Sequence, residues 1–165
     1  GDAAGNVDFY VRVLGMRRSG ESVPHVERMY TPEQKAELLP QCDVLMLTIP
    51  LTPRTQCFLG PEEFALLKPG ALLFNIGRGK TVDTDALLDA LHSGRLAGAG
   101  LDVTDPEPLP PDHPLWDAPN VLITPHNSGS HPDYAERAGA YFLANLRRYL
   151  AGQPLEGVID KAEGY

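Results

Sequence analysis

Apolar positions along this chain fall into two rhythms. Residues 43–49 (DVLMLTI) and 71–76 (ALLFNI) are nearly unbroken apolar runs, the pattern of strands buried on both faces of a parallel sheet. Residues 83–92 instead place Leu87, Leu88 and Leu91 at helical spacing, and Gly94 stops the helix. A short strand is expected over 11–16, ended by Arg17-Arg18-Ser19-Gly20. Thr31-Pro32-Glu33 reads as a helix start, with a Thr cap, Pro in the first turn and an acid beside it. That helix should run to about Leu39 and break at Pro40. Pro61-Glu62-Glu63 opens another short helix, closed by Pro69-Gly70. Residues 96–103 carry a strand interrupted by small residues, 106–114 a Pro-rich loop and 120–124 a short strand. Residues 131–150 make one long helix rich in Ala, Leu and Arg, ended by Gly152 and Pro154.

Strand and helix thus alternate about four times, which predicts an α/β fold: a doubly wound, Rossmann-like parallel sheet. Right-handed crossovers bring the strand C-termini to one edge, and ligands of such sheets sit outside that edge. The residues just after the strands are Arg17, Pro50, Asn75 to Arg78, Asp102 to Glu107, and His126.

Composition narrows the classes. The 165 residues suffice for one domain with a core. With 14 Lys and Arg against 22 Asp and Glu, the formal charge is −8, which argues against a nucleic-acid partner. Gly and Pro, 16 each, fit a domain with many tight connections. Cys42 and Cys57 form no CxxC pair and read as reduced thiols of a cytoplasmic protein. No apolar stretch of about 18 residues is present, and no signal peptide is visible, so no membrane partner is expected. No His/Cys/Asp cluster at ligand spacing exists, so no metal is expected.

Three loops carry candidate chemistry. In Asn75-Ile76-Gly77-Arg78-Gly79, two glycines let the backbone turn sharply and present a guanidinium suited to bidentate capture of a carboxylate. Alone, Arg78 reads sooner as a surface residue of a β–α turn. Asp102 and Glu107 alone read as turn or capping carboxylates. His126, after Thr124-Pro125, is a side chain that exchanges a proton near neutral pH, and a carboxylate partner would orient its ring. His25, His92, His113 and His131 read as exposed. Order decides more than the single residues. Arg78, Glu107 and His126 arrive on successive loops at one sheet edge. Reducing a 2-oxo acid needs three roles there: a carboxylate anchor, a proton donor, and a group that tunes the donor.

The segments NIGRGKTVDTDAL, GAGLDVTDPEPLP and PNVLITPHNSG resemble the three signature segments of the D-isomer-specific 2-hydroxyacid dehydrogenases. LPQCDVLMLTIPLTPRTQCFLG is similar to the family's cofactor-side strand and loop. The resemblance implies Arg78 as the carboxylate arginine, Glu107 as the acid paired to the histidine and His126 as the general acid/base. It also implies a nicotinamide cofactor lined by Ile49, Pro50, Leu51, Thr55, Asn75, Ile76, Gly77, Asp102 and Gly129, and a homodimer.

The family's G-x-G-x-x-G unit is not seen, although Gly1-Asp2-Ala3-Ala4 can be read as its tail. The expected division is therefore an irregular remnant over 1–10 and a nucleotide-binding domain over 11–130, lacking its first strand and fingerprint helix. A C-terminal helix and tail over 131–165 would return toward a substrate domain. Arg17, Arg18 and Ser19, without an acid, suit a 2′-phosphate, so NADP is expected ahead of NAD. The reaction expected is hydride transfer between the cofactor and a 2-oxo or D-2-hydroxy acid, resembling a glyoxylate/hydroxypyruvate reductase, with little activity from these residues alone. Two alternatives stay open. One is a non-catalytic, dinucleotide-sensing corepressor of the same fold. The other is a relative acting on formate or phosphite, and formate dehydrogenases usually place Gln where Glu107 stands.

Overall fold

The computed structural model describes residues 11–161. The remnant expected over 1–10 lies outside the described residues, as do positions 162–165.

Among the described residues, six strands and four α-helices follow one another. Strands β1 (Leu14–Met16) and β2 (Arg28–Tyr30) pair in parallel. Strands β3 (Val44–Leu47), β4 (Ala71–Asn75), β5 (Leu96–Leu101) and β6 (Val121–Ile123) form a four-stranded parallel sheet in that order. The helices are α1 (Lys35–Leu38), α2 (Pro61–Leu66), α3 (Thr84–His92) and α4 (Tyr134–Leu150). The expected parallel α/β architecture is therefore present.

Helices α2 and α3 cover one face of the larger sheet. Leu47, Leu73 and Leu101 point into that layer and pack with Leu59, Phe64, Leu67, Leu87 and Leu91. Each such Leu, once buried, contributes roughly 1.5–3 kcal/mol relative to remaining exposed. Asp83 starts α3 by accepting the Ala86 N–H through its carboxylate (3.1 Å), so the helix begins one residue later than the apolar pattern suggested. Glu63 likewise accepts the N–H of Gly60 at the start of α2 (2.9 Å) and pairs with Lys35 (2.5 Å).

Several expectations need correction. The run over 43–49 is not buried on both faces: Val44 and Met46 are exposed, as are Leu72 and Leu122, so this face of the sheet is bare among the described residues. The segment after Thr31 is a chain of short turns, 3-10 over Pro32–Gln34, α1, then 3-10 over Leu39–Gln41, and it passes through Pro40 instead of breaking there. Strand β2 matches no element expected from the apolar pattern. It is three residues long, too short to form a visible period, and only Tyr30 at its end is buried. His113 is half-buried and accepts the Leu115 N–H at the start of the Pro114–Trp116 turn (3.2 Å).

The small residues in β5 have a packing cause. A Cβ on Gly98 would lie 2.7 Å from the Asn120 carbonyl oxygen, and one on Gly100 would lie 2.6 Å from the Phe74 ring. Helix α4 starts at Tyr134, three residues after the expected His131, and buries none of its side chains.

Candidate active site

Among the described residues, every parallel strand except β2 is followed by a loop that carries candidate residues, and three of these loops are locked to one another. The Arg78 turn follows β4. The side chain of Asn75, itself buried, runs under the turn: its Oδ1 accepts the Gly77 N–H (3.0 Å) and its Nδ2 donates to the Arg78 carbonyl (3.1 Å). Thr81 donates to the same carbonyl through both its hydroxyl (2.6 Å) and its N–H (3.1 Å). Three donors on one carbonyl hold the turn closed, and Thr81, fully buried, was not anticipated from sequence. The Arg78 side chain is exposed and donates through Nη1 to the Gly77 carbonyl (2.7 Å).

The two glycines around Arg78 are needed for close approach. A Cβ on Gly77 would fall 2.7 Å from the carbonyl oxygen of Ile49, on the loop after β3. A Cβ on Gly79 would fall 1.9 Å from the carbonyl oxygen of Thr104, on the loop after β5. The Arg78 turn is thus wedged between its two neighbours, with no room for a side chain on either side. Thr84 adds a bond from its hydroxyl to the Asp105 carbonyl (3.3 Å).

The loop after β5 presents Glu107. Its peptide bonds Asp105–Pro106 and Glu107–Pro108 are both cis. The Thr104 hydroxyl donates to the Pro106 carbonyl (2.9 Å). The loop after β6 presents His126, whose backbone is left-handed (φ 50) and whose N–H donates to the Thr124 carbonyl (3.0 Å). The two side chains meet: Nδ1 of His126 lies 2.5 Å from Oε1 of Glu107. Both remain partly open to solvent. A cavity of about 450 Å³ lies against this pair, floored by Leu109, Trp116 and Ile123. With Nδ1 turned to the carboxylate, Nε2 is left to exchange a proton with a ligand.

Asp102 ends β5 and is buried. Its carboxylate accepts from the Thr124 hydroxyl (2.5 Å) and from the N–H groups of Asn127 (2.9 Å) and Ser128 (2.8 Å). Burial opposes the charge, but these donors outweigh it and hold the carboxyl well below the usual carboxylate range.

The remaining cofactor-side candidates lie on the loops that follow the strands. Ile49, Pro50 and Leu51 form the loop after β3, and Thr55 folds it by donating to the Pro50 carbonyl (2.7 Å) and accepting from the Thr52 N–H (2.7 Å). Ile76 is exposed beside them, and a Cβ on Gly129 would meet open space. Arg17, Arg18 and Ser19 follow β1 and are exposed. The expected absence of an acid at that turn is corrected: Glu21 pairs with Arg17 (3.4 Å) and accepts from the Ser19 hydroxyl (3.2 Å). Among the described residues, no group of three or more His, Cys, Asp or Glu side chains could hold a metal, and no helix is long and apolar enough to cross a membrane.

Comparison with known proteins matches this geometry. Residues 4–128 fit the family described as D-isomer specific 2-hydroxyacid dehydrogenase, NAD binding domain. Glyoxylate/hydroxypyruvate reductase B of Pectobacterium carotovorum is 46% identical over 124 residues, covering 74% of this chain and 38% of that protein. The chloroplastic/mitochondrial formate dehydrogenase of Arabidopsis thaliana is 40% identical over 131 residues, covering 78% of this chain and 34% of that one. A D-isomer specific 2-hydroxyacid dehydrogenase from Xanthobacter autotrophicus, solved in complex with NADPH and MES, superposes with a TM-score of 0.87 at 36% identity, covering 93% of this chain and 62% of that one. The chain spans about half or less of the length of the curated relatives it matches. With that match and the loops that support it, this chain belongs to the D-isomer specific 2-hydroxyacid dehydrogenase family and carries its NAD binding domain.

Proposed function

We propose that this chain supplies the nucleotide-binding and proton-transfer half of an NADP-preferring oxidoreductase that interconverts small 2-oxo acids and D-2-hydroxy acids. The observation that carries the reading is the Glu107–His126 pair at 2.5 Å, on the loop neighbouring the Arg78 turn. The Arg78 guanidinium uses one N–H on the Gly77 carbonyl and keeps the rest of its fork for a substrate carboxylate. His126 delivers a proton from Nε2 to the oxygen of the 2-oxo group, while Glu107 fixes the ring through Nδ1. Arg78 also polarises that carbonyl.

The residues present fit a dinucleotide phosphate at the sheet edge. Arg17, Arg18 and Ser19 would hold the 2′-phosphate, provided Glu21 yields Arg17 and Ser19. Ile49, Pro50, Leu51, Thr55, Ile76, Gly77 and Gly129 border the strand ends where the nicotinamide half would lie. When bound, the cofactor supplies the hydride. NAD is the second choice. The NADPH complex of the Xanthobacter relative supports this order.

The glyoxylate/hydroxypyruvate reductase among the relatives supports small, polar 2-oxo acids as substrates, and Glu107 in place of Gln supports them over formate. In this reading the enzyme is a cytosolic homodimer, and the exposed Phe142, Tyr149 and Leu150 of α4 lie against further protein. The test is a panel of 2-oxo acids and formate, with NADPH and NADH, on the full-length protein. Turnover of glyoxylate or hydroxypyruvate with NADPH ahead of NADH is expected. Tight NADPH binding without turnover of any of them would instead favour the dinucleotide-sensing role.

A further inference from the structure

We propose that Thr81 is a positioning residue for the substrate: its buried hydroxyl sets the peptide that follows Arg78, and with it the direction in which the guanidinium leaves the backbone. The inference rests on the reading of Arg78 as the anchor of the substrate carboxylate.

The Arg78 side chain is exposed, and its Nη1 donates to the carbonyl of its own neighbour, Gly77 (2.7 Å). That bond does not tie the side chain to the rest of the fold. Where the guanidinium points is therefore decided at its root, by the peptides on either side of the Arg78 Cα. A carboxylate anchor tolerates little error there, because a misplacement of about 1 Å at a substrate-positioning group can cost up to ~10²-fold in rate.

Thr81 controls the peptide on the C-terminal side. The Arg78 carbonyl accepts the Thr81 hydroxyl (2.6 Å), the Thr81 N–H (3.1 Å) and Nδ2 of Asn75 (3.1 Å). A carbonyl oxygen has two lone pairs, so three donors saturate it and fix the plane of the peptide. Thr81 supplies two of the three, and its hydroxyl makes the shortest bond. The same hydroxyl lies 3.5 Å from Nδ2 of Asn75, which joins the two side chains that grip the carbonyl.

Thr81 is itself fixed. It is fully buried, and its carbonyl accepts the Leu59 N–H (3.1 Å). On one side of it the Lys80 carbonyl accepts the Cys57 N–H (2.8 Å), and on the other the Asp83 N–H donates to the Leu59 carbonyl (2.9 Å). Residues 80–83 are thus stitched to 57–59, the chain that leads into α2. The role needs the hydroxyl and not merely the bulk. A methyl group in its place, 2.6 Å from the carbonyl oxygen, would overlap it, and a fully buried side chain has no room to turn away. The peptide would rotate and re-aim the arginine.

The test measures Thr81→Val, Thr81→Ala and Thr81→Ser on the full-length protein, alone and combined with Arg78→Lys. Thr81→Ala is expected to raise the KM for the 2-oxo acid roughly three- to tenfold, the loss of one net hydrogen bond. Thr81→Val should raise it further, and in both the KM for NADPH should change less. Thr81→Ser keeps the hydroxyl and should hold the oxo-acid KM within about twofold of wild type. Beside Arg78→Lys, the Ala change should add less than about twofold, because the fork that Thr81 aims is already gone. Where Thr81→Val fails to fold, the comparison of Ser with Ala carries the test. A Ser variant as impaired as Ala, fully additive effects with Arg78→Lys, or a KM for NADPH that rises as much as that for the oxo acid would overturn the proposal. Amide exchange at Gly77 and Val82 reads the grip on the turn without turnover: protection is expected to fall in Thr81→Ala and to return in Thr81→Ser. A wild-type protein that turns over no 2-oxo acid would count against the proposed function, and the exchange would still decide the hold of Thr81 on Arg78, unchanged protection in Thr81→Ala ruling it out.

Discussion

Nδ1 of His126 and Oε1 of Glu107 stand 2.5 Å apart although the residues lie nineteen positions apart, on loops that follow different strands. Such a pair fixes one ring nitrogen and frees the other. Replacing His126 with Ala is therefore expected to lower kcat for 2-oxo acid reduction roughly 10²–10⁴-fold, the range for a lost general acid. The KM for NADPH should stay close to wild type. Steady-state kinetics on the full-length enzyme check this, and an unaffected kcat removes His126 from the mechanism.

Arg78 tests the carboxylate anchor. A Lys at this position keeps the charge but not the planar fork. Arg78→Lys is expected to raise the KM for the oxo acid about tenfold or more, the equivalent of ~1.4 kcal/mol of lost binding, with the cofactor KM little changed. The Arg78 turn would stay folded, because Asn75 and Thr81 hold it through the backbone carbonyl and not through the guanidinium.

The strands other than β2 and the long helices were legible, and the three candidate residues could be singled out, because each left a local pattern. β4 is an apolar run, α3 has helical leucine spacing and a capping Asp83, and Gly77 and Gly79 flank an arginine at a strand end. What stayed hidden depends on partners far along the chain. The resemblance lists Asn75 and Asp102 among the residues lining the cofactor, and nothing local in the sequence showed that their side chains also hold loops. Thr81 left no signal, since a threonine after a glycine-rich turn is ordinary until its hydroxyl is seen on the Arg78 carbonyl. β2 was too short to show a period, and the exposed Val44 and Met46 have the same apolar pattern that burial would produce.

Gly79 is the contact between the arginine and glutamate loops. An added methyl would lie 1.9 Å from the Thr104 carbonyl oxygen, and backbone on both sides leaves nothing flexible to move. Gly79→Ala is expected to destabilise by about 1–3 kcal/mol or more, as overpacking does. It should lower activity more than stability alone accounts for, by parting Arg78 from Glu107. Gly139→Ala serves as the control. It lies within α4, where an added Cβ meets nothing within 4 Å, and should stabilise the helix by about 0.5–1 kcal/mol. Thermal denaturation of the two variants should move in opposite directions.

Asp102 should also make stability depend on acid. Its folded-state carboxyl titrates below its ordinary value: burial raises it, and the donors from Thr124, Ser128 and Asn127 lower it by more. A group depressed in this way contributes its stability above the unfolded-state value. That contribution fades as the pH falls from there toward the folded-state value. Between about pH 5 and pH 2, the wild-type chain should therefore lose stability more steeply than Asp102→Asn. Urea unfolding across that range checks the difference. Parallel slopes for the two proteins would mean that the carboxylate is not held as the hydrogen bonds require.

Glu21 bears on cofactor choice. It occupies Arg17 and Ser19, two of the groups expected to hold a 2′-phosphate. A phosphate arriving there must displace a carboxylate, whereas a plain ribose need not. The pair is exposed and spans 3.4 Å, so it costs little to open, and Glu21 would temper a preference for NADP without reversing it. Glu21→Gln removes that competition and one like charge beside the phosphate. The ratio of kcat/KM for NADPH over NADH is expected to rise about three- to tenfold, mostly through the KM for NADPH, and to rise less at high salt, where the competing charge is already screened. Arg17→Ala should move the same ratio the other way. If Glu21→Gln instead lowered the NADPH preference, the carboxylate would be bonding the ribose itself, and the turn after β1 would favour NAD.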